Sequence, residues 1–91
     1  MKYAIRHSYY WFDTNEYIDH FSTSWVSNYF YDDMLSRTQR VAHTDLLAEA
    51  LLFDGPIEPA RIAHEISTPE CPARMVQVTD KDIFRAKLAN K

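Results

Sequence analysis

Between His7 and Ser36 the chain carries ten of its thirteen aromatic side chains and five carboxylates, with no Lys or Arg among them. Each ring that enters a core buries about 150–250 Å², and a chain of 91 residues has room for only one small core. This stretch must therefore build the interior and also exceed it. Within it Tyr17, Phe21, Trp25 and Tyr29 recur at every fourth position, the spacing of one helix face. Asp13-Thr14-Asn15-Glu16 stands just before them as an N-terminal cap, with a side-chain acceptor followed by acidic groups that suit the helix dipole. The spacing predicts a helix from the cap to about Tyr31. Ser22-Thr23-Ser24 and Ser27-Asn28 are mediocre helix formers, so a second strand is the competing reading.

The flanking segments are simpler. From Lys2 to Phe12 the residues Tyr3, Ile5, His7, Tyr9 and Trp11 alternate with Lys2, Ala4, Arg6 and Ser8, the period of a strand. Tyr10 and Phe12 make the second face apolar as well, which predicts that the far end of this strand is covered on both sides. Asp32 to His43 is a polar bridge. Thr44-Asp45 opens a second helix through Leu46, Leu47, Ala50 and Leu51, closed by Asp54-Gly55-Pro56. Ile62, His64 and Ile66 alternate like a strand, although Pro59 also fits the first turn of a short helix. The turn Thr68-Pro69-Glu70-Cys71-Pro72 before the apolar residues 73–79 favours a hairpin. Thr79-Asp80-Lys81-Asp82 caps a last helix whose apolar side is Ile83, Phe84 and Leu88, with Arg85, Lys87 and Lys91 toward its end. The expected architecture is one α+β domain over residues 1–91, in the order β-α-α-β-β-α, with a three-stranded sheet packed against helices.

Charge narrows the function classes. The net charge is −3, and it is uneven: residues 1–60 hold four basic groups against nine carboxylates, residues 61–91 six against four. A nucleic-acid binder needs clustered Lys and Arg to displace counterions from phosphates, so nucleic acid is not expected as the partner. Binding through Arg85, Lys87 and Lys91 is the remaining route to it, and that route requires steep salt dependence. The only glycine is Gly55, which leaves no glycine-rich loop to cradle a phosphate, and no cofactor is expected. A single cysteine, Cys71, forbids an internal disulfide and fits a reducing compartment. No apolar run is long enough to cross a bilayer, and the start lacks the apolar core of a signal peptide. The expected location is the cytoplasm.

Groups able to do chemistry are few. Glu16 and His20, four apart, could share a metal on a helix, but no further ligands with zinc spacing accompany them. Asp32-Asp33 reads as solvated surface, and His64 and Glu65 point to opposite faces of a strand. Cys71, between prolines, has no neighbouring cation to lower its pKa. No metal or catalytic residue is assigned. The enzymatic alternative is a small hydrolase with His7, in a cleft with Tyr9 and Trp11, or His20 as general base. A buried neutral histidine is the plainer account of His7.

What remains is the surplus of rings. Those left outside a single core, next to Asp32 and Asp33, form a Tyr- and Trp-rich surface of the kind found at binding hot spots. Five carboxylates and no cations would repel a nucleic-acid backbone from that surface. The expected function is a non-enzymatic protein-binding domain using Tyr10, Trp25, Tyr29, Phe30, Tyr31, Asp32 and Asp33. Its partner is a protein with a basic surface, or a second copy of the chain in a homodimer. In size and charge alone the chain is similar to inhibitors made by phages and mobile elements, including antagonists of host nucleases that occupy basic nucleic-acid grooves.

Overall fold

Lys2–Asp13 forms one twelve-residue strand, β1, that the rest of the chain pairs with or packs upon. The computed structural model describes residues 2–36 and 39–89, apart from the side chains of Trp11, Phe21 and Ala89. After β1 come β2 (Ile18–Tyr29), β3 (Val41–Thr44), a 3-10 turn (Leu47–Glu49), α1 (Ile57–Ile66), β4 (Ala73–Val78) and α2 (Asp80–Ala89). The four strands make one antiparallel sheet in the order β3-β2-β1-β4. The β-α-α-β-β-α order with three strands is therefore corrected to β-β-β-α-β-α with four.

The main departure is the helix predicted from the Asp13–Glu16 cap to about Tyr31: residues 14–17 are a turn and Ile18–Tyr29 is strand β2. Four is a multiple of the strand period as well as close to one helical turn, so the spacing of the rings fits both. The cap chemistry at Asp13 is present but is spent on a turn. Asp13 Oδ1 accepts the amide N–H groups of Asn15 (2.8 Å) and Glu16 (3.3 Å), and the Asp13 carbonyl accepts that of Tyr17 (2.8 Å). Tyr17 then takes a left-handed backbone, φ 56°, which reverses the chain instead of continuing the helix. The second predicted helix shrinks to the 3-10 turn at Leu47–Glu49. Conversely the segment around Ile62, favoured as a strand, is helix α1. Pro59, Ile62, Ala63 and Ile66 are its buried face, at helical spacing with proline in the first turn.

The core lies between α1 and one face of the sheet: Ile5, Val26, Tyr29, Val41, Ile62, Ala63 and Ile66, joined by Leu51, Phe53 and Ala73. Tyr29 reaches it through a bulge. The register with β3 slips between Val26 and Asn28, so Tyr29 shares the face of Val26 and not that of Trp25. Where β2 diverges, residues 51–53 take its place beside β1: Leu51 N–H donates to Val26 O, and Tyr3 and Phe53 exchange both backbone bonds, all at 2.9 Å. Ala4 and Ile5 on opposite faces are both fully buried. The doubly covered part of β1 is thus its beginning, not the Tyr10–Phe12 end expected from sequence.

α2 opens with a reciprocal cap between Thr79 and Asp82 (3.0 and 3.1 Å). It lies against the 3-10 turn, and of its expected apolar side Phe84 and Leu88 stay exposed. Lys91 lies outside the described residues. Among the described residues no helix is long and apolar enough to cross a membrane.

β4 stops opposite His7 and β3 stops opposite Trp25. The rows from Tyr9↔Ser22 to Asp13↔Ile18 therefore continue as a two-stranded ribbon beyond the sheet. The radius of gyration, 13.9 Å, exceeds the roughly 12 Å of a compact chain of this length. A non-glycine residue at positive φ is strained by about 1 kcal/mol. Tyr17→Gly is expected to raise stability by about 0.5–1 kcal/mol, and Asp13→Ala to lower it by about 0.5–2 kcal/mol, both read from thermal or denaturant unfolding.

Candidate functional site

The ribbon exposes what the core does not use. Tyr10 is 49% exposed, Phe12 45%, Tyr17 80% and Ile18 48%. The Phe12 and Tyr17 rings meet edge to face at 6.3 Å. Tyr10 donates its hydroxyl to Asp19 Oδ1 at 2.6 Å, and this bond raises the Tyr10 pKa. Asp13, Glu16 and His20 converge at the turn with one ligand-type atom of each within 4.8 Å of the others. The pairing of Glu16 with His20 thus arises from a hairpin and not from a helix face. Asp13 is already engaged in closing the turn, and the group carries no metal assignment.

The seven residues named from sequence do not share one surface. Tyr10 sits on the ribbon, opposite Phe21, while Tyr29 lies eight residues further along β2, roughly 27 Å away along the strand. Tyr29 is in the core, 6% exposed. Trp25 is on the opposite face, half-buried beneath the Arg6 guanidinium at 4.7 Å. Phe30, Tyr31, Asp32 and Asp33 are exposed in the loop after β2.

That loop is tied to α1. Tyr31 donates to Glu58 at 2.6 Å and stands edge-on to Tyr29, with Arg61 over its ring and bonded to Glu58 at 2.8 Å. The Tyr31 bond, then Arg61, holds the Glu58 carboxyl below its usual range. Arg40 pairs with Glu65 through Nη1, donates to Leu35 O through Nε (3.2 Å), and lies 3.9 Å from the Asp33 carboxylate. Asp32 caps its own turn by accepting the Met34 N–H at 2.9 Å. Tyr31, Asp32 and Asp33 thus hold the loop in place, while Phe30, Met34 and the Tyr31 ring itself stay exposed on it.

Three rings form a ladder on the core face at the root of the ribbon. His43, half-buried on β3, stacks between His7 (5.1 Å) and Tyr9 (4.9 Å), and His7 Nδ1 and His43 Nε2 share a hydrogen bond of 2.8 Å. His7 is buried and faces Ser24 across β1 and β2. The Ser24 hydroxyl and His7 Nε2 are both buried without a hydrogen-bond partner. Ser24 is 1% exposed, so its hydroxyl is closed to a substrate. Sequence reasoning missed His43, because only the strand pairing brings it to His7.

Burial lowers the pKa of both histidines; for His7 the facing His43 adds to this and a backbone contact with Cys71 opposes it. Protonating both rings would set two N–H groups against each other at 2.8 Å. The unfolded chain then binds more protons below its own histidine pKa of about 6.5. Stability is expected to be full above that value and to fall as pH drops below about 6.5. His43→Phe should flatten that fall in pH-dependent unfolding curves, because one of two depressed groups is removed.

No protein-family model, no curated protein and no solved structure gives a significant match to this chain.

Proposed function

We propose that this protein is a non-enzymatic protein-binding domain whose working element is the distal β1–β2 ribbon. The observation that carries the reading is Tyr17. It is 80% exposed and held in a left-handed backbone where glycine or asparagine costs less. A strained, exposed ring at the apex of a turn favours an intermolecular role over a structural one. Tyr10, Phe12 and Ile18 extend the apolar surface around it. Asp13, Glu16 and Asp19 surround it with negative charge, and no Lys or Arg occurs from His7 to Ser36.

The partner on this reading is a protein with a basic surface. A second copy is the weaker occupant, since two acidic ribbons repel. Carboxylates set among rings suit a groove that otherwise receives nucleic-acid phosphates, which makes inhibition of a nucleic-acid-binding host complex the role best matched to this element. The single cysteine fits action in the cytosol. Of the residues first named from sequence, Tyr10 belongs to this surface, and Phe30, Tyr31, Asp32 and Asp33 are exposed on the separate loop after β2.

The test is panning a random peptide library against the immobilised protein and against Tyr10→Ser/Tyr17→Ser/Asp19→Lys. Peptides enriched on the wild type should combine Lys or Arg with apolar residues. They should bind the triple variant at least about tenfold more weakly, since two ring anchors and a charge are lost. Circular dichroism and melting temperature should show the variant still folded. No enrichment on the wild type, or equal binding by the variant, would overturn the reading.

A further inference from the structure

We infer that the sheet face at the root of the ribbon binds a phosphate group between Arg6 and Arg74. Strand register sets these two guanidinium-bearing residues directly opposite each other on β1 and β4. Like charges so placed repel, and among the described residues neither has a carboxylate within ion-pair distance. A cleft of about 340 Å³ opens between them, lined by Arg6, Ser8, Thr23, Pro72, Ala73 and Arg74, with no acidic residue in its wall. That volume falls within the range of small-ligand pockets, about 300–1,000 Å³.

The other walls supply what an anion needs. Ser8 and Thr23 are cross-strand partners whose hydroxyls lie 3.1 Å apart. One donates to the other, which leaves a hydroxyl proton to offer outward. Arg6 rests on the Trp25 ring at 4.7 Å, so its planar fork is oriented before any ligand arrives. Two guanidinium forks and a hydroxyl offer more donors than the two oxygens of a carboxylate can accept. The three terminal oxygens of a phosphate match them better. In a chain of net charge −3, this local pair of cations is not part of a general basic field. The ligand is therefore a free phosphate ion or the phosphoryl end of a small molecule.

The experiment is thermal unfolding of wild type and Arg74→Gln at neutral pH and matched ionic strength, in chloride, acetate, inorganic phosphate and phenyl phosphate. In chloride, Arg74→Gln should melt at or above the wild type, because removing one cation relieves the repulsion. Phosphate should raise the wild-type melting temperature with dose, acetate should not, and Arg74→Gln should lose the phosphate response. A larger rise with phenyl phosphate makes a phosphorylated small molecule the ligand, and an equal or smaller one makes it the free ion. Arginine Nε–H NMR signals of the wild type give a second readout, and two of them should move on adding phosphate. The proposal falls if Arg74→Gln melts below wild type in chloride, if phosphate acts alike on both proteins, or if no arginine signal moves.

Discussion

Pairing on both edges of the first half of β1 is the constraint on which the rest of the molecule depends. From Lys2 to His7 this strand has β4 on one side. On the other side it meets β2 and then, where β2 bends away, the segment around Phe53. With both edges paired and both faces covered, Ala4 and Ile5 are fully buried, and register can no longer slip without exposing a whole face. The bulge in β2 follows from this arrangement. It opens the gap that residues 51–53 fill, and it turns Tyr29 inward to complete the core beneath α1.

The same strand leaves the body after His7, and its character changes there. Neither β3 nor β4 follows it, so the ribbon gains nothing from neighbours on its outer edges. Long unpaired edges are normally blunted by lysine, proline or a bulge. From Ile18 to Ser24 the β2 edge carries no lysine or proline, and the recorded register shift lies further on. Negative charge borders it instead: Asp13, Glu16 and Asp19 set like charges where a second copy would approach, and on the proposed function the exposed rings are left to a partner of opposite sign. The His7–His43–Tyr9 ladder marks the boundary between the packed body and this extension. There His7 Nδ1 and His43 Nε2 satisfy each other, while His7 Nε2 and the Ser24 hydroxyl stay buried without a partner.

Much of the outline was legible in sequence. The alternation of β1, the strand at Ala73–Val78 and the Thr79–Asp82 capping box lie where residue pattern places them. The reading failed at β2 because a fourfold repeat of rings does not distinguish a helix from a strand. The distinguishing positions were three residues on: His20, Ser24 and Asn28 are polar, whereas a helix burying the rings would need apolar groups there. Asp13 gave a true local signal, since its carboxylate does cap a turn, but no local rule says whether a capped turn propagates. The surplus of exposed aromatic surface was also legible. Its location was not, because the bulge that sends Tyr29 inward and the strand ends that strand Tyr10 outside are set by pairing between distant segments. The Arg6–Arg74 and His7–His43 contacts are invisible without register for the same reason.

The central claim is that the ribbon beyond Tyr9 and Ser22 serves binding and not folding. The most direct measurement replaces residues 10–21 with a two-residue Asn-Gly turn, which suits the backbone twist of a hairpin closed by Tyr9 and Ser22. Unfolding and binding of library-selected basic peptides are then compared with the intact chain. The account predicts a trimmed protein that still unfolds cooperatively, with the His7–His43 contact intact by NMR, and that no longer binds. A trimmed protein that fails to fold, or one that binds as well as before, would contradict it.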